Sequence, residues 1–448
     1  MRALSKIASV VRRYPTAAGS AFIVLALIGI SVYAMITVPL SEAVLLWRGA
    51  NQVWSDTPRY AQPAWTNIFR SEKLPETFVV RMDDTEGTTE QIGEAMWRET
   101  TVLEFDYTHS KFPSELNFFF DAEFDTREPQ VTATWITPDG AERRLFRGSV
   151  RSGQRLAISQ DDKLARDFGV FAQIGLFADP ATLGGEDDPE VLAGGYALRI
   201  EAVTFEEGSS VGGRLIVYGD VYGIAGTDHL RRDLAVGLLW GTPIALVFGL
   251  AATIGTILLT FVIAAFGAWY GGWFDAAIQR ITEVNLMLPF LPILIMVGTF
   301  YSRSLWLMLA VVIALEIFSA GIKSYRAMFM QVKNAAYIEA ARAYGASNTR
   351  IVFRYLIPKI VPVLIPAFVL GIPEFVFLEA SLSVLGLGDP TLPTWGKILS
   401  NAYQGGALYR GYYYWVLEPA VMLIITGMSF SMLGFALDRI FNPRLRGI

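Results

Sequence analysis

The amino-acid sequence predicts an all-α polytopic membrane bundle of six transmembrane helices, with a β-rich domain inserted between helices 1 and 2. Of the 448 residues, 53% are hydrophobic, and the mean hydropathy of +0.39 is high for a soluble domain but low for a pure membrane bundle. Several stretches reach the roughly 20 apolar residues that cross a hydrocarbon core of about 30 Å. Residues 40–233 carry a net charge of −14 and the remainder +9, which indicates two aqueous faces.

The first predicted span, Thr16–Val38, contains 23 residues without a charge. Because the apolar core of a cleavable signal peptide is shorter, we interpret this span as an uncleaved anchor. The next uncharged stretch, Leu234–Phe274, is too long for one span, and we expect Thr242-Pro243 to divide it into a short interfacial helix and a span that ends near Phe266. The remaining predicted spans are Val284–Tyr301, Ser304–Ile322, Ile360–Val384 and Pro419–Leu437.

Six spans place both termini on one side of the membrane, and the basic residues indicate which side. Segment 323–359 carries seven Lys or Arg against Glu339 alone. Since Lys and Arg are enriched in cytoplasmic loops, we expect this segment and both termini in the cytoplasm and residues 40–233 outside it. The basic residues concerned are Arg2, Lys6, Arg12, Arg13, Lys323, Arg326, Lys333, Arg342, Arg350, Arg354, Lys359, Arg439, Arg444 and Arg446.

The acidic block is predicted to form a β-sandwich over roughly residues 75–222. In "TVLEFDY" apolar residues alternate with Glu104 and Asp106, the period of two that is typical of a strand with one buried face. "VTATWIT" and "AERRLF" flank a Pro-Asp-Gly turn and predict a hairpin, and "YALRIEAVTF" and "GRLIVYGDVYGI" predict further strands. Several short strands separated by turns are typical of a sandwich.

The composition excludes several classes of site. The chain has no Cys and only two His, His109 and His229, so it offers no disulfide, thiolate metal site, Cys nucleophile or His-rich zinc site. The acidic run Gly184–Glu190 lacks the spacing of an EF-hand loop and is interpreted as a surface loop. The Gly-Lys pair in "WGKIL" lacks the remainder of a phosphate-binding Walker A loop. We expect no catalytic residue, no metal, no directly bound cofactor and no nucleic-acid partner.

The cytoplasmic stretch Tyr337–Ile360 is too polar to cross a membrane and too regular for an idle loop. Its Ala-rich start favours a helix, Gly345 suits the left-handed position that ends one, and Ser347 or Asn348 can cap a second helix, which Pro358 is expected to limit. The small alanines would let a partner protein approach closely. The alternative is a basic loop that lies on anionic lipid.

Three motifs carry a resemblance to the permeases of ABC importers. "EAARAYGAS" with its downstream proline resembles the EAA loop, which in that family is the coupling helix that docks into the partner ATPase. "GTDHLRRD" resembles the GTDxLGRD signature of the oligopeptide/dipeptide branch, with Arg231 in place of its Gly. "EASLSVLGLGDPTLPTWGKIL" resembles a third stretch of that branch. The chain thus looks like a second-permease type with an ABC type I importer-like bundle and an extended outer loop.

The resemblance implies three regions and two groups of functional residues. The regions are residues 1–39 with the first span, the extracytoplasmic insertion 40–225, and the importer domain 226–448 with coupling loop 323–359. The ATPase-coupling residues would be Glu339, Ala340, Ala341, Ala343, Tyr344, Gly345, Ala346 and Ser347. The outer signature comprises Gly226, Thr227, Asp228 and Asp233.

Acidic residues in or near spans are candidates for a translocation path or gate, because an unpaired charge in lipid is costly. We expect Glu379 to contribute more to transport than Glu316, because Glu379 lies in a family-like stretch and Glu316 is isolated in sequence. The alternatives are that Glu379 lies at the outer interface and that Glu316 only pairs with a neighbouring helix. Glu283 stands where the family has Asp. The path candidates are Glu379, Ser381, Ser383, Glu374 and Glu283.

The resemblance implies that the chain is a permease subunit of an ATP-driven importer in the plasma (inner) membrane, with peptides as the first expected substrate. Its partners would be a second permease, two ATP-binding subunits that use ATP and Mg²⁺, an extracytoplasmic substrate-binding protein and the lipid bilayer. The same machinery could instead import oligosaccharides or metal chelates. A different class, a proton-coupled secondary transporter that uses Glu283, Glu316 and Glu374, remains an alternative.

Overall fold

The chain forms two compact units, one from residues 1–48 and 236–448 and the other from residues 49–235. The computed structural model describes residues 15–49, 53–93, 95–184 and 188–441. Six of the basic residues that predict the topology, and the centre of the acidic run 184–190, lie outside the described residues. These six are Arg2, Lys6, Arg12, Arg13, Arg444 and Arg446.

The first unit is helical. In its described part, four helices are long and apolar enough to cross a membrane, and two bent pairs bring the number to six if each pair counts as one span. The helices of the first unit are α1 (Pro15–Thr37), α2 (Leu40–Arg48), α5 (Leu234–Tyr270), α6 (Gly272–Met287), α7 (Phe290–Phe300), α8 (Leu305–Glu316), α9 (Ala320–Lys333), α10 (Ala336–Ala343), α11 (Asn348–Ile351), α12 (Ile357–Val384), α13 (Trp395–Gln404) and α14 (Tyr413–Phe441).

The predicted break at Thr242-Pro243 is wrong, because α5 runs through Pro243 without interruption. A proline removes one backbone donor, and membrane helices tolerate it where other groups supply hydrogen bonds to that turn. Here the Leu238 carbonyl accepts hydrogen bonds from the Trp395 indole N–H at 3.0 Å and from the Thr242 hydroxyl at 3.2 Å. The carbonyl that loses its donor to the proline is that of Leu239, and the bond from Trp395 to the neighbouring Leu238 carbonyl holds α5 at this turn from another helix.

The third and fourth predicted spans are each two helices that meet at an angle, rather than single helices. α6 and α7 meet at 75°, and α8 and α9 at 47°. The first break falls at Leu288-Pro289, where Leu288 has the extended backbone that a following proline favours. The predicted join near Ser302-Arg303 is confirmed, since α7 ends at Phe300 and α8 begins at Leu305.

The second unit is the predicted β-sandwich. One sheet has the strand order β1-β9-β4-β7 and the other β2-β3-β8-β5-β6, and neighbouring strands are antiparallel. The strands are β1 (Phe78–Arg81), β2 (Thr88–Gly93), β3 (Met96–Tyr107), β4 (Glu115–Glu123), β5 (Gln130–Ile136), β6 (Glu142–Ser149), β7 (Arg155–Leu156), β8 (Gly194–Thr204) and β9 (Ser210–Tyr218). Two short helices, α3 (Asp162–Phe168) and α4 (Ala172–Phe177), lie between β7 and β8.

A single apolar core joins the two sheets. Leu103 from β3 and Leu198 from β8 are buried with Phe118 from β4 and Leu215 from β9. The alternation in "TVLEFDY" therefore marks the buried face of β3, and the predicted hairpin is confirmed as the antiparallel pair β5–β6. The aromatic side chain of Trp135 belongs to this core, and its indole N–H donates to the Leu176 carbonyl at 3.2 Å.

Candidate functional site

The predicted coupling segment is a short helix, a turn and the start of a longer helix. α10 is held from one side, because Ile338 is buried in a core with Ile351 and Val352, and Ala341 on the same side is also buried. The opposite side is open, and the Tyr344 side chain is 92% exposed. Glu339, Ala340, Ala343, Gly345 and Ser347 are also exposed, and Ala346 is half-buried against the core. The helix thus offers small and polar residues to a partner while its inner face fixes its position.

The turn after α10 has the predicted geometry. Gly345 adopts a left-handed φ of +77°. Its N–H donates to the Arg342 carbonyl at 2.9 Å, and the Ala346 N–H donates to the Ala341 carbonyl at 3.0 Å, the pair of bonds that defines a Schellman ending. Ser347 caps the next helix by accepting from the Arg350 N–H at 3.4 Å.

The prediction that Pro358 limits the second helix is wrong. α11 continues through Val352–Leu356 into α12, and Pro358 lies in the first turn of α12. The connecting residues form a π-helical turn, which is wider than an α-helical one. A proline ring crowds the carbonyl four residues earlier, here that of Arg354, and the wider turn gives it room. The coupling segment is therefore continuous with a membrane-spanning helix.

A polar and aromatic cluster around Trp269 attaches this segment to the carboxyl end of α5. The Arg342 guanidinium lies 4.4 Å from the centroid of the Trp269 ring. Lys333 Nζ donates to the carbonyls of Ala268 and Trp269, both at 2.8 Å, where the last carbonyls of a helix lack intrahelical partners. Sequence analysis missed this cluster, because it counted Lys333 and Arg342 only as basic charges. No local sequence pattern gives a signal for it, because Lys333 and Arg342 follow Trp269 by more than 60 residues.

Glu379 is buried within the helical unit, five residues before the end of α12, and its placement relative to the outer interface stays a prediction. Its side chain is 3% exposed. Ser383 Oγ donates to Glu379 Oε1 at 2.9 Å, and the Thr394 hydroxyl also hydrogen-bonds to the carboxyl group. A Cβ atom on Gly396 would lie 2.7 Å from the Ala380 Cα, so the start of α13 packs against α12 at a distance that only glycine permits.

The remaining path candidates do not join Glu379. Glu374 and Ser381 are exposed on α12, seven residues apart and therefore on a common face, and the Ser381 hydroxyl donates to its own helix, to Phe377 O at 2.8 Å. Glu283 is exposed on α6 and forms an ion pair with Arg280 at 3.4 Å. The five candidates thus form one buried pair, one exposed face and one separate ion pair, and their functional roles stay predictions.

The outer signature is a compact turn that begins α5. Asp228 Oδ1 accepts from the backbone N–H groups of Leu230 and Arg232 at 2.8 and 3.0 Å, and Asp228 Oδ2 accepts from Arg232 Nε at 2.7 Å. Thr227 is fully buried. Asp233 Oδ1 accepts from the Ala235 N–H at 2.8 Å, and Gly226 O accepts from the Leu234 N–H at 3.1 Å, which fixes the first turn of α5.

Arg231 departs from the signature and adopts a left-handed φ of +67°, where a glycine would fit without strain. Its guanidinium donates to the Glu115 carboxylate and, at 2.7 Å, to the Thr57 carbonyl. It also lies 4.3 Å from the centroid of the Tyr218 ring. These contacts tie the signature to strands β4 and β9, and no local sequence pattern predicts them.

Comparison of the sequence with known proteins identifies the family to which the helical part belongs. Residues 256–447 match the model of the binding-protein-dependent transport system inner membrane component. The chain is 30% identical over 224 residues to the glutathione transport system permease protein GsiD of Pectobacterium atrosepticum, and the match covers 49% of this chain and 72% of that protein. The chain belongs to the family of binding-protein-dependent transport system inner membrane components.

This permease is also similar to transport proteins that are named for other substrates. It is 31% identical to the oligopeptide transport system permease protein OppC of Bacillus subtilis, over 49% of this chain and 72% of that protein. It is 28% identical to the dipeptide transport system permease protein DppC of the same species, over 49% and 68%. An inward-facing structure of the methionine ABC transporter MetNI aligns with 23% identity and a TM-score of 0.33, over 46% of this chain and 96% of that chain.

Membership makes the chain a multi-pass inner-membrane permease subunit of a binding-protein-dependent ABC importer. Permeases of this family work with ATPase and substrate-binding subunits and are not themselves the ATPases. Among the described residues, no group of three or more Asp, Glu or His side chains is placed to hold a metal ion.

Proposed function

We propose that this permease pairs with a second permease and two ATPase subunits to import peptides. It binds no cofactor, and ATP and Mg²⁺ are used by the ATPases. Segment 323–359 and both termini lie in the cytoplasm, and residues 40–233 lie outside, because the basic and acidic charges separate in that way. The relatives are named for the transport of glutathione, oligopeptides and dipeptides, which supports a peptide substrate.

The observation that carries this proposal is the form of the coupling segment. α10 presents Glu339, Ala340 and Tyr344 to solvent, while Ile338 and Ala341 anchor it in the helical core. Small residues let a docked helix approach closely, and Glu339 offers a carboxylate to an Arg of the ATPase. The short turn after α10 leads directly into α11, and α11 continues into α12. A displacement of α10 is therefore transmitted to a membrane-spanning helix without an intervening flexible loop. Closure of the ATPases would thereby change the access of the path from one side to the other.

Two substitutions test the coupling role. Gly345→Val places a β-branched residue in the left-handed region, which costs about 1–2 kcal/mol and misaligns α10. Glu339→Lys reverses the exposed charge. Both variants are expected to insert and to retain the second permease, but to lose most ATPase binding and ATP-driven uptake of a radiolabelled dipeptide in inverted or reconstituted membranes.

Gly140→Val serves as a matched control, because Gly140 is also left-handed (φ +84°) but lies in the hairpin turn between β5 and β6. It should leave ATPase retention unchanged. Wild-type retention and uptake in both coupling variants would mean that the segment is only a basic linker. Uptake of an oligosaccharide instead of the dipeptide would leave the proposed coupling to the ATPases intact but would show that the substrate is not a peptide.

A further inference from the structure

The two bent spans enclose a cavity that none of the path candidates from sequence predicted. Its volume is about 180 Å³. Asn285, Glu316 and Ser319 supply its polar lining, and Leu288, Phe290 and Leu315 are among its apolar walls. These residues lie at the two helix breaks, between α6 and α7 and between α8 and α9. The cavity therefore exists because both spans are interrupted at the same place.

Side chains from other helices donate hydrogen bonds to the backbone carbonyls at the break between α8 and α9. Asn285 Nδ2 donates to the carbonyls of Leu315 at 2.8 Å and Phe318 at 3.2 Å. Thr260 Oγ1 donates to the carbonyl of Ile317 at 2.9 Å. Unpaired carbonyls are not tolerated against lipid, so these donors allow an irregular backbone within the membrane-spanning region. Such interrupted helices beside a cavity are typical of sites that bind transported solutes.

The lengths of α7 and α8 give the distance of this site from the connector that joins these helices. Glu316 lies 11 residues along α8 from Leu305, or about 17 Å at 1.5 Å per residue. Phe290 lies ten residues from the end of α7, which joins α8 through a short connector. The Leu305 N–H also donates to Asp389 Oδ2 at 3.4 Å, so the end of α12 lies at the same level. The two lengths along α8 and α7, about 17 and 15 Å, are close to half the thickness of a hydrocarbon core of about 30 Å.

Among the described residues that line the cavity, Glu316 is the one with an ionisable side chain. Glu374, exposed on α12 ten residues before Val384, acts electrostatically on Glu316 from outside the cavity lining. The ion pairs among the described residues of the helical unit join Arg280 to Glu283 and Arg326 to Asp275. Neither pair includes Glu316 or Glu374. Glu316 thus supplies a carboxylate to the lining of the cavity, and a carboxylate in a membrane-spanning region is stabilised by a cation that binds beside it.

We propose that this cavity is a substrate subsite for a cationic group, namely the protonated amino terminus of a transported peptide. Glu316 binds the ammonium group, Asn285 and Ser319 lie at the same cavity and orient it, and Glu374 contributes longer-range attraction. The volume exceeds that of several water molecules at about 30 Å³ each, so a terminal residue fits. This assignment rests on the proposed function and names the part of the substrate that the path recognises.

The first test reads the charge of the cavity without any substrate. Because the chain has no Cys, Ser319→Cys introduces its only thiol. Its thiolate reacts with methanethiosulfonate reagents of similar size that carry either trimethylammonium or sulfonate, forming a mixed disulfide and releasing methanesulfinate. In the assembled transporter, adding Glu316→Gln should lower the cationic-to-anionic rate ratio about tenfold. Ser324→Cys, exposed on α9 outside the cavity lining, should show less than a twofold change on the same addition.

The second test reads recognition of the amino group. In proteoliposomes with the ATPases and the binding protein, Glu316→Gln should reduce uptake of trialanine about tenfold and of N-acetyl-trialanine less than twofold. Equal losses for both peptides, an unchanged thiol ratio, or a Ser319→Cys thiol that reacts with neither reagent would overturn the subsite. If the wild-type transporter takes up neither peptide, the peptide function fails, while the thiol ratio still decides whether the cavity attracts cations.

Discussion

At the scale of single residues, Arg231 shows how a departure from a family signature can be compensated. An L-residue in the left-handed region costs about 1–2 kcal/mol, and Arg231 accepts this cost where the signature has glycine. Its guanidinium gains an ion pair with Glu115, a hydrogen bond to Thr57 and a stacking contact with Tyr218. The side chain is only 9% exposed, so these contacts are largely protected from solvent screening.

The backbone and side-chain contributions of Arg231 can be separated with two variants. Arg231→Ala and Arg231→Gly both remove the guanidinium, but only alanine keeps a Cβ in the left-handed region. We expect the alanine variant to be less stable than the glycine variant by about 1 kcal/mol, with both below the wild type. Midpoints of thermal unfolding of the purified chain, followed by tryptophan fluorescence, would give this order. An alanine variant as stable as the glycine variant would show that the backbone is not strained.

At the scale of elements, the prolines show which helix ends can be predicted from sequence and which cannot. Pro243 and Pro358 were expected to end helices and lie within them, whereas Pro289 marks a real break. The outcome depends on donors that are distant in sequence, such as the Trp395 indole that reaches the Leu238 carbonyl. The turn at Gly345 and the cap at Ser347 were predictable because their hydrogen bonds close within five residues. The buried position of Glu379 was not predictable, since it depends on how α13 packs against α12.

The contact between α10 and α5 predicts a class of uncoupled variants. Arg342→Ala removes the cation from the Trp269 ring, a contact worth about 0.5–2 kcal/mol. α10 keeps its buried anchors Ile338 and Ala341, so ATPase binding should persist while uptake per ATP hydrolysed falls severalfold. Trp269→Phe retains a ring and should have a smaller effect. The measurement is the ratio of dipeptide uptake to phosphate release in proteoliposomes.

A matched control distinguishes this contact from a general effect of charge. Arg350→Ala removes one positive charge from the same segment, at an exposed position at the start of α11. It should leave the uptake-to-hydrolysis ratio within about twofold of wild type. Equal losses in the Arg342 and Arg350 variants would mean that net charge, rather than the stacking of Arg342 on Trp269, sets the coupling.

At the scale of the whole molecule, the division into an apolar helical part and an acidic β part was predictable, because it follows from composition and period. Alternation identified β3, and the Pro-Asp-Gly turn identified the β5–β6 hairpin. The order of strands was not predictable, since β4 and β9 pair across about 100 residues of sequence. The cavity between the bent spans was also missed, because a helix break at 317–319 carries no glycine or proline signal.

The β part should fold without the membrane bundle. Both sheets and their common core lie within residues 75–222, so a fragment with these limits keeps the buried residues of all nine strands together. Its far-UV circular dichroism should be that of a β-protein, and Leu103→Ala should lower its free energy of unfolding by about 2–5 kcal/mol, since Leu103 is fully buried. Glu104→Ala, at the adjacent exposed position of β3, should change that free energy by no more than about 0.5 kcal/mol. A helical or unfolded spectrum, or equal effects of the two substitutions in urea titrations, would contradict an independent sandwich.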